Sequence, residues 1–305
     1  AAKVTVTDVW KEADIVQINT VLPDSPLVAR RARRQGKKVV YYGHSTMEDF
    51  KNSFIGSNLA APLFKKWIRH CYRQGDVVIT PTEYSRELLM KYDLHREIYA
   101  LTNGVDTEFF HKTEQAGGQF RVLFHIPVDK KVVISAGHLI RRKGILDFLE
   151  TARRMPDVLF LWFGGGNHAL IPEEIKRAVA EKPENVIFAG FVPSIILRDA
   201  YSGADAFAFF SYEETEGIVV LEALSCEIPV IIRDIPVYDE WLEDGVQVRK
   251  ATDPDSYEQA LREILSGERQ EEVLRRTRAG RALAEEHSMK ATGERLYQIE
   301  QNLYQ

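Results

Sequence analysis

A run of glutamates around one glycine marks residues 210–232, FSYEETEGIVVLEALSCEIPVII. AFAFFS is typical of a buried strand and GIVVLEALSC of the helix after it, which leaves YEETE as the turn between them. Gly217, Ile218 and Val219 then lie at a helix N-terminus, where free backbone N–H groups and the helix dipole favour an anion. Because glycine has no side chain, a phosphate can approach this backbone closely.

Two of these glutamates are placed to bind a sugar. Glu214 is predicted in the turn and Glu222 in the early part of the helix, so both can point toward the same cleft. Carboxylates in such positions accept hydrogen bonds from the paired hydroxyls of a ribose or a hexose. Acidic residues that merely complement the helix dipole are the alternative, which we favour for Glu213, Glu216 and Glu227.

The spacing of Glu214 and Glu222 resembles the Glu-x7-Glu motif of the retaining GT-B glycosyltransferases of family four. In that family the first glutamate contacts the donor sugar and the second contacts the ribose of the nucleotide. The resemblance extends from Ser135 to about Pro229 and implies a UDP-sugar as donor substrate. It also implies front-face attack, in which the leaving phosphate helps to deprotonate the acceptor.

Three consecutive cations lie in SAGHLIRRKGILDFLE, between a glycine turn at the end of a strand and the next helix. A diphosphate leaving group gains negative charge as the glycosidic bond breaks, so fixed cations beside it lower the barrier. We take Arg142 and Lys143 as the catalytic cations and Gly137 and His138 as donor-binding residues. A solvated basic turn is the alternative, and the share of Arg141 in the work stays open.

Other segments resemble further parts of the family's site. WFGGGN resembles its glycine-rich loop, so Gly164 and Gly166 are predicted to let the nucleotide approach the backbone, and FAGFVP is expected near the nucleobase. VVYYGHSTMEDF ends a strand in a loop, and the resemblance places His44 beside the transferred sugar as a catalytic residue. Asn103 in NGVD resembles a donor-binding motif at the cleft, although Asn-Gly also favours a simple turn.

Short β-branched runs alternate with longer amphipathic segments, which is the pattern of parallel α/β sheets. A first series comprises ADIVQINTV, KKVVYYGH, DVVITPT and EIYALTNGV, and a second extends from KKVVISAGHL to IPVIIRD. We therefore predict two Rossmann-like, doubly wound domains that face each other across a cleft, the GT-B fold. Ligands of such sheets bind beyond the carboxyl ends of the strands.

Domain boundaries follow from the same pattern. Residues 110–129 are the most irregular segment and are interpreted as a linker, which gives an N-terminal domain over 1–115 and a donor domain over 116–287. Residues 288–305 are predicted to form a helix that packs back on the first domain. The chain begins with AAKVTVTD, close to what resembles the family's second strand, so the N-terminal domain is expected to lack its first strand-helix unit.

The composition is that of an ordinary globular chain of 305 residues, 45% hydrophobic and 28% charged. A formal net charge of -5 gives no reason to expect a nucleic acid partner, and RRARRQGKK lacks the aromatic residues that would stack bases. No apolar run is long enough to span a bilayer, so any membrane contact is expected to be peripheral. Cys71 and Cys226 lack metal-ligand spacing and are interpreted as free thiols of a cytoplasmic protein.

One acidic motif raises the question of a metal. Asp-Pro-Asp at 253–255 matches the Asp-x-Asp pattern of metal-dependent transferases, but it precedes the helical pattern SYEQALREIL and is interpreted as a helix start. We predict no catalytic metal and no cofactor. Cations and helix N-termini are expected to do the work of a divalent ion.

Two basic segments guide the prediction of the acceptor. LVARRARRQGKK is dense in cations, and APLFKKWIRHCYRQG interleaves cations with apolar residues. Such segments favour an anionic lipid surface, at about 1 kcal/mol per basic residue, whereas a solvated helix face is the alternative. The predicted membrane-binding residues are Arg30, Arg31, Arg33, Arg34, Lys37, Lys38, Lys65, Lys66, Trp67 and Arg69.

Within the family, GHSTMEDFKNSFIGSN and RRKGILDF look most like segments of bacterial diacylglycerol glycosyltransferases. The resemblance implies a retaining hexosyltransferase that moves glucose or galactose from UDP to diacylglycerol or monoglycosyl-diacylglycerol. It would be a cytoplasmic enzyme, peripherally bound to the inner face of the plasma membrane. The alternatives are a soluble transferase with a saccharide or cell-wall acceptor, and a nucleotide-sugar binding fragment without turnover.

Overall fold

A computed structural model describes residues 12–53, 55–166 and 170–304 of the chain. The chain divides into two compact units. The first comprises Ala1–Lys51, Gly56–Asn103 and Thr292–Gln305, and the second comprises Asn52–Ile55 and Gly104–Ala291. Residues 1–11 of the predicted N-terminal domain and Asn167 of the glycine-rich motif lie outside the described residues.

The first unit contains a parallel sheet of four strands in the order β1-β2-β3-β4. Its strands are β1 Ile15–Ile18, β2 Lys38–Tyr42, β3 Val77–Thr80 and β4 Glu97–Ala100. The two central strands, KVVYY and VVIT, are apolar along almost their whole length because both faces of the sheet are covered. All four strands fall within the first predicted series.

Helices and the ends of the chain supply the two cores of this unit. The helices are α1 Ser25–Arg34, α2 Met47–Phe50, α3 Ser57–Tyr72 and α4 Glu83–Met90. On one face Val39 and Tyr41 pack with residues of α1 and α3, and on the other face Val40 and Tyr42 pack with Leu296. This division follows from the alternation of side chains along a strand.

The second unit contains a parallel sheet of six strands in the order β10-β9-β8-β5-β6-β7. The strands are β5 Val132–Ala136, β6 Leu159–Phe163, β7 Val186–Gly190, β8 Ala206–Phe209, β9 Val230–Arg233 and β10 Arg249–Ala251. The helices are α5 Glu114–Leu123, α6 Ile145–Arg154, α7 Glu173–Ala180, α8 Ser194–Gly203, α9 Ile218–Ser225, α10 Pro254–Ser266, α11 Gln270–Glu286 and α12 Met289–Asn302. Strand order reverses between β5 and β8, and a ligand site is expected at the carboxyl ends of the strands beside such a switch point.

The last helix, α12, begins in the second unit and continues into the first. Leu296 and Ile299 of its later part, and Leu303 directly after it, pack against the first sheet's core. Tyr304 follows the helix, and its hydroxyl donates a hydrogen bond to the carbonyl of Asp14, 2.9 Å away. The C-terminal end of the chain therefore contributes apolar side chains to the first unit.

Helix α5 occupies half of the predicted linker over 110–129. Gly117 lies on the face of α5 that packs against α8, where a Cβ atom would stand 2.8 Å from the carbonyl oxygen of Ser202. Gly118 would meet nothing within 4 Å. One glycine of this Gly-Gly pair therefore allows two helices to approach closely.

Among the described residues, no helix combines the length and the apolar character needed to cross a bilayer. The longest apolar stretches are the buried strands of the two sheets. The Asp-Pro-Asp motif begins α10, where the Asp253 side chain accepts a hydrogen bond from the backbone N–H of Ser256 at 2.9 Å. This reciprocal cap confirms the prediction of a helix start.

Candidate donor-binding site

A cavity of about 370 Å³ opens at the carboxyl ends of β5, β6, β7 and β8 in the second unit. It is lined by Ala136, Gly137, His138, Lys143, Phe163, Gly164, Gly165, Phe191, Val192, Leu197, Glu214, Thr215, Gly217, Ile218 and Val219. Lys143, Glu214 and the start of α9 make one part of the lining polar. Phe163, Phe191, Val192 and Leu197 make another part apolar.

Lys143 and Glu214 meet at the wall of this cavity. Lys143 Nζ forms a short ion pair with Glu214 Oε1, and the ammonium also lies 5.2 Å from the centre of the Phe209 ring. Glu214 is only 6% exposed. Burial alone would raise the pKa of this carboxyl, but Lys143 and Arg142 outweigh it and hold the pKa below its ordinary value.

Arg142 is buried beside this pair and does not line the cavity. Its Nη1 donates to the carbonyl of Glu213 at 2.5 Å and lies 3.6 Å from Glu214 Oε1. Its Nε donates to Ser53 Oγ at 3.2 Å, and its own carbonyl accepts a hydrogen bond from the backbone N–H of Tyr212 at 2.8 Å. Arg142 therefore contacts Glu214 from within the protein, whereas Lys143 is the cation that faces the cavity.

The other two basic side chains of the motif point in different directions. His138 lines the cavity, and its Nδ1 lies 3.1 Å from the carbonyl oxygen of Gly165, in position to donate a hydrogen bond to it. Nε2 then remains available to a ligand. Arg141 forms an ion pair with Glu174 at the surface.

Two of the predicted glycines are required by the backbone. Gly164 has φ +109°, and a Cβ atom there would stand 2.3 Å from the carbonyl oxygen of Gly137. Gly217 has φ +81°, and a Cβ atom there would stand 2.6 Å from the hydroxyl of Tyr238. Both glycines let the floor of the cavity form from backbone atoms.

Helix α9 begins directly after Gly217, and no side chain caps it. Ile218 and Val219 are its first residues and line the cavity. The start of this helix therefore offers backbone N–H groups and a positive dipole end to a ligand in the cavity. The prediction of a strand, a turn and a helix at this position is confirmed.

Glu222 lies one turn further along α9, half-buried and outside the cavity lining. The hydroxyl of Tyr201 donates a hydrogen bond to its Oε2 at 3.3 Å. Burial raises the pKa of Glu222 to about 7, and the bond from Tyr201 only partly offsets the rise. The two glutamates of the motif therefore have opposite electrostatic settings, with Glu214 ionised and Glu222 close to its midpoint at neutral pH.

Three predicted site residues lie elsewhere. A Cβ atom on Gly166 would make only an ordinary contact with Ile171, at 3.6 Å, so this position does not demand glycine. His44 and Asn103 belong to the first unit. His44 follows the carboxyl end of β2 and stacks on the Tyr42 ring at 4.9 Å, and burial lowers its pKa. The roles of His44 and Asn103 stay predictions.

Several lining residues were missed by sequence reasoning. Phe191 is the most conspicuous, since its side chain is 90% exposed although it is large and apolar. It follows Gly190, the last residue of β7, whose carbonyl accepts a hydrogen bond from the Gly164 N–H at 2.7 Å. The signal was available in FAGFVP, where an aromatic residue comes directly after the glycine that ends a strand.

The predicted membrane surface is only partly exposed. Arg30, Arg31 and Arg34 project from α1, and Lys66 projects from α3. Arg33 is exposed too, with its Nη2 lying 3.7 Å from Asp76.

The other predicted membrane-binding cations make contacts within the chain. Lys65 lies over the Tyr92 ring at 4.3 Å, and Arg69 forms an ion pair with Asp93 at 2.8 Å. Lys37 donates to the carbonyl of Ala13, and Lys38 lies 5.7 Å from the Tyr304 ring centre. These cations are engaged by the chain itself.

Trp67 also makes contacts within the chain, and its membrane role stays a prediction. Its indole N–H donates to the carbonyl of Val21 at 2.7 Å, and its ring packs against the core of the first unit. The exposed apolar residues of α3 are instead Leu59 and Leu63, which are 88% and 69% exposed. The predicted helix is thus amphipathic, with Leu59 and Leu63 exposed and Trp67 packed on the core.

Comparison with protein-family models settles the class of the protein. The chain belongs to the glycosyltransferases. The model for glycosyl transferases group 1 matches residues 120–282, and the model for glycosyltransferase family 4 matches residues 4–109. The predicted resemblance to family four is confirmed, and the protein is a glycosyltransferase.

Among curated relatives, the processive diacylglycerol alpha-glucosyltransferase of Acholeplasma laidlawii is 38% identical over 271 residues, which cover 88% of this chain and 80% of the relative. The alpha-galactosylglucosyldiacylglycerol synthase of Streptococcus pneumoniae is 28% identical, over 76% of this chain and 63% of the relative. The chain thus spans less than two thirds of the second relative. The predicted similarity to diacylglycerol glycosyltransferases is confirmed.

Solved structures support the fold. Sucrose-phosphate synthase of Thermosynechococcus elongatus superposes with a TM-score of 0.81 at 19% identity, over 95% of this chain and 74% of that one. HepE of Anabaena, in complex with UDP-glucose, superposes with a TM-score of 0.79 at 18% identity, over 99% and 81%. The predicted α/β GT-B fold is confirmed.

Proposed function

We propose that this glycosyltransferase transfers a hexose, glucose or galactose, from a UDP-sugar to a membrane lipid such as diacylglycerol or monoglycosyl-diacylglycerol. The observation that carries the donor half of the proposal is the cavity in which Lys143, Glu214 and the start of α9 converge. The acceptor half rests on the relatives, whose names describe transfer to glycolipids.

A nucleoside diphosphate sugar matches the two kinds of lining in this cavity. The diphosphate would take the polar part, where Lys143 and the N–H groups of Ile218 and Val219 supply positive charge. The uracil would lie on the apolar part, stacked on the Phe191 ring, an interaction typically worth about 1–3 kcal/mol per base. Glu222 would accept hydrogen bonds from the ribose hydroxyls.

The Lys143–Glu214 ion pair would exchange its partners when the donor binds. Each side chain neutralises the other. A diphosphate would compete for Lys143, and Glu214 would then be released to accept a hydrogen bond from a hexose hydroxyl. The donor therefore replaces a protein ion pair with two ligand contacts, which limits the desolvation cost of binding.

The transfer step would retain the anomeric configuration. The acceptor oxygen forms a bond to the anomeric carbon on the face from which the β-phosphate oxygen departs. The bond between the anomeric carbon and that oxygen breaks, its electron pair goes to UDP, and the departing phosphate takes the acceptor's proton. Lys143 and the start of α9 would stabilise the charge that develops on UDP, so we propose neither a metal ion nor a cofactor.

Peripheral binding to an anionic membrane would bring the enzyme to its lipid acceptor. On α3, Leu59, Leu63 and Lys66 follow a spacing of four and three residues, so they share one exposed face. The neighbouring α1 adds Arg31 and Arg34. Apolar side chains that can enter the interface beside cations that meet acidic headgroups are typical of an interfacial helix surface. We place this contact at the cytoplasmic face of the membrane.

Transfer of labelled sugar tests the proposal. UDP-glucose and UDP-galactose are offered with diacylglycerol or monoglycosyl-diacylglycerol in anionic micelles, with and without a chelator, and the anomeric configuration of the product is read by NMR. Lys143→Gln should lower transfer by about 100-fold or more, whereas the matched change Arg141→Gln should have little effect because Arg141 faces away from the cavity. Transfer only to a soluble saccharide would contradict the proposed lipid acceptor. UDP binding without any transfer would contradict the proposed transfer activity.

A further inference from the structure

Two backbone segments must stay in register for the donor cavity to work. One is the Lys143 turn, residues 141–147, and the other is the Glu214 loop, residues 210–217. They touch at Gly144, where a Cβ atom would stand 2.2 Å from the carbonyl oxygen of Phe210. The Lys143–Glu214 ion pair joins them as well. In the proposed function a diphosphate would draw Lys143 away from Glu214, so other contacts must then hold the register.

Arg142 connects the Lys143 turn to the Glu214 loop. As described above, its guanidinium binds the carbonyl of Glu213 and its carbonyl binds the backbone of Tyr212. Ser211 Oγ also lies 3.3 Å from the Arg142 carbonyl, in position to donate to it. These bonds fix the backbone of the Glu214 loop, but all of them involve the single residue Arg142.

A second cluster of side chains holds the same loop without Arg142. The hydroxyl of Tyr212 donates to Asp147 Oδ2 at 2.6 Å, and the Tyr212 ring stacks on the guanidinium of Arg233 at 3.9 Å. Arg233 also pairs with Asp147 and donates through Nε to the carbonyl of Phe210 at 3.0 Å. One tyrosine of the loop, one aspartate of the turn and one arginine at the end of β9 are thus mutually bonded.

We propose that Tyr212, Asp147 and Arg233 are positioning residues, which keep Glu214 aimed at the donor sugar after Lys143 has turned to the diphosphate. None of the three lines the cavity, so none is a catalytic residue. Tyr212 is 48% exposed and buries little apolar surface, which argues against a role in the core. Arg233 is buried and Asp147 is half-buried, and an ion pair in such a setting is weak evidence for a role in stability alone.

The inference rests on the proposed function, because it assigns the cluster to the donor sugar of that reaction. It predicts a particular pattern of effects. Loss of the Tyr212 hydroxyl should leave the diphosphate contacts intact, so the KM for the UDP-sugar should change less than threefold. The sugar should be held less accurately, so kcat should fall by about 10-fold to 100-fold.

The test compares Tyr212→Phe and Asp147→Asn with Tyr297→Phe. Tyr297 is a matched control in the first unit, an exposed tyrosine whose hydroxyl accepts one hydrogen bond, from Gln301. Hydrogen exchange of backbone amides is measured with and without UDP, next to kcat, KM and the thermal midpoint. We expect exchange over residues 212–217 to rise about 10-fold in the first two variants, with the rest of the second unit unchanged.

Two results would overturn the inference. Unchanged exchange and unchanged kcat in Tyr212→Phe would show that the hydroxyl does not position the loop. Exchange that rises evenly over the second unit would show a general structural role. If the unmodified protein transfers no hexose to lipid, the proposed function fails, but the exchange pattern still decides whether the cluster orders the Glu214 loop.

Discussion

Lys143 and Glu214 form a buried ion pair although 71 residues separate them in the chain. The sequence contains each in a separate motif, one after β5 and the other after β8. These strands are neighbours in the sheet, with Ile134 opposite Phe207, so their carboxyl ends bring the two motifs together. Each of these two side chains thus neutralises the charge of the other.

The ion pair makes the second unit sensitive to acid. Since the folded-state pKa of Glu214 lies below its ordinary value of 4.5, its stabilisation is present above that value and is lost as the pH falls through the folded-state pKa. Glu214→Gln should therefore cost on the order of 2 kcal/mol at neutral pH and much less near pH 3. Urea unfolding at both pH values measures this difference, with the exposed Glu240→Gln as control. An equal loss of unfolding free energy at both pH values would mean that Glu214 stabilises the fold through packing and not through its charge.

Glu222 should have the opposite dependence. Its pKa is raised to about 7, so the folded state holds a proton that the unfolded state releases near 4.5, and stability falls between these values as the pH rises. If the carboxylate binds ribose hydroxyls, UDP should bind more tightly as the pH rises through 7. Calorimetric titration of UDP from about pH 6 to about pH 8 tests this expectation. Glu222→Gln should remove the pH dependence, and a dependence that survives the change would assign it to another group.

The two neighbouring glycines of the cavity provide a matched pair. Gly164→Ala places a Cβ atom 2.3 Å from the carbonyl of Gly137 at φ +109°, and should cost on the order of 2 kcal/mol. Gly165→Ala meets nothing within 4 Å and should change stability little. Thermal unfolding of both variants makes the comparison. Equal losses would contradict the backbone contact between the ends of β5 and β6.

Much of the fold could be predicted because parallel sheets leave a periodic signal. The nine strands of the two predicted series occur in the structure, whereas the short β10 was missed because its residues, RKA, are largely polar. The helix α5 was missed because glycine is counted as a breaker. The sequence cannot show that Gly117 faces the backbone of Ser202 while Gly118 faces open space.

The site was predictable at the level of motifs and less so at the level of single side chains. Lys143 and Arg142 are adjacent cations with the same expected role, yet one faces the cavity and the other is buried behind it. Which of two neighbours points inward depends on the local turn. That turn is fixed by partners such as Tyr212 and Glu213, which are distant in the sequence.

The membrane surface gives the sharpest difference between the sequence pattern and the structure. The pattern assigns the interfacial role to Trp67, whereas the structure turns its indole to the carbonyl of Val21 and exposes Leu59 and Leu63. The double change Leu59→Gln/Leu63→Gln should therefore lower binding to vesicles with about 30% anionic lipid by about 10-fold or more, because two leucines lose their transfer into the interface.

Charge and control variants complete the measurement by vesicle co-sedimentation. Arg31→Glu/Arg34→Glu should weaken binding by a similar factor, and added salt should reduce the effect of this change but not that of the leucine change. Val122→Gln/Leu123→Gln, at exposed positions of the second unit, should leave binding unchanged. Trp67→Phe tests whether Trp67 or the two leucines enter the interface. It should leave vesicle binding intact if the leucines face the lipid. A loss of binding in Trp67→Phe with normal binding in the leucine variant would return the interfacial role to the indole.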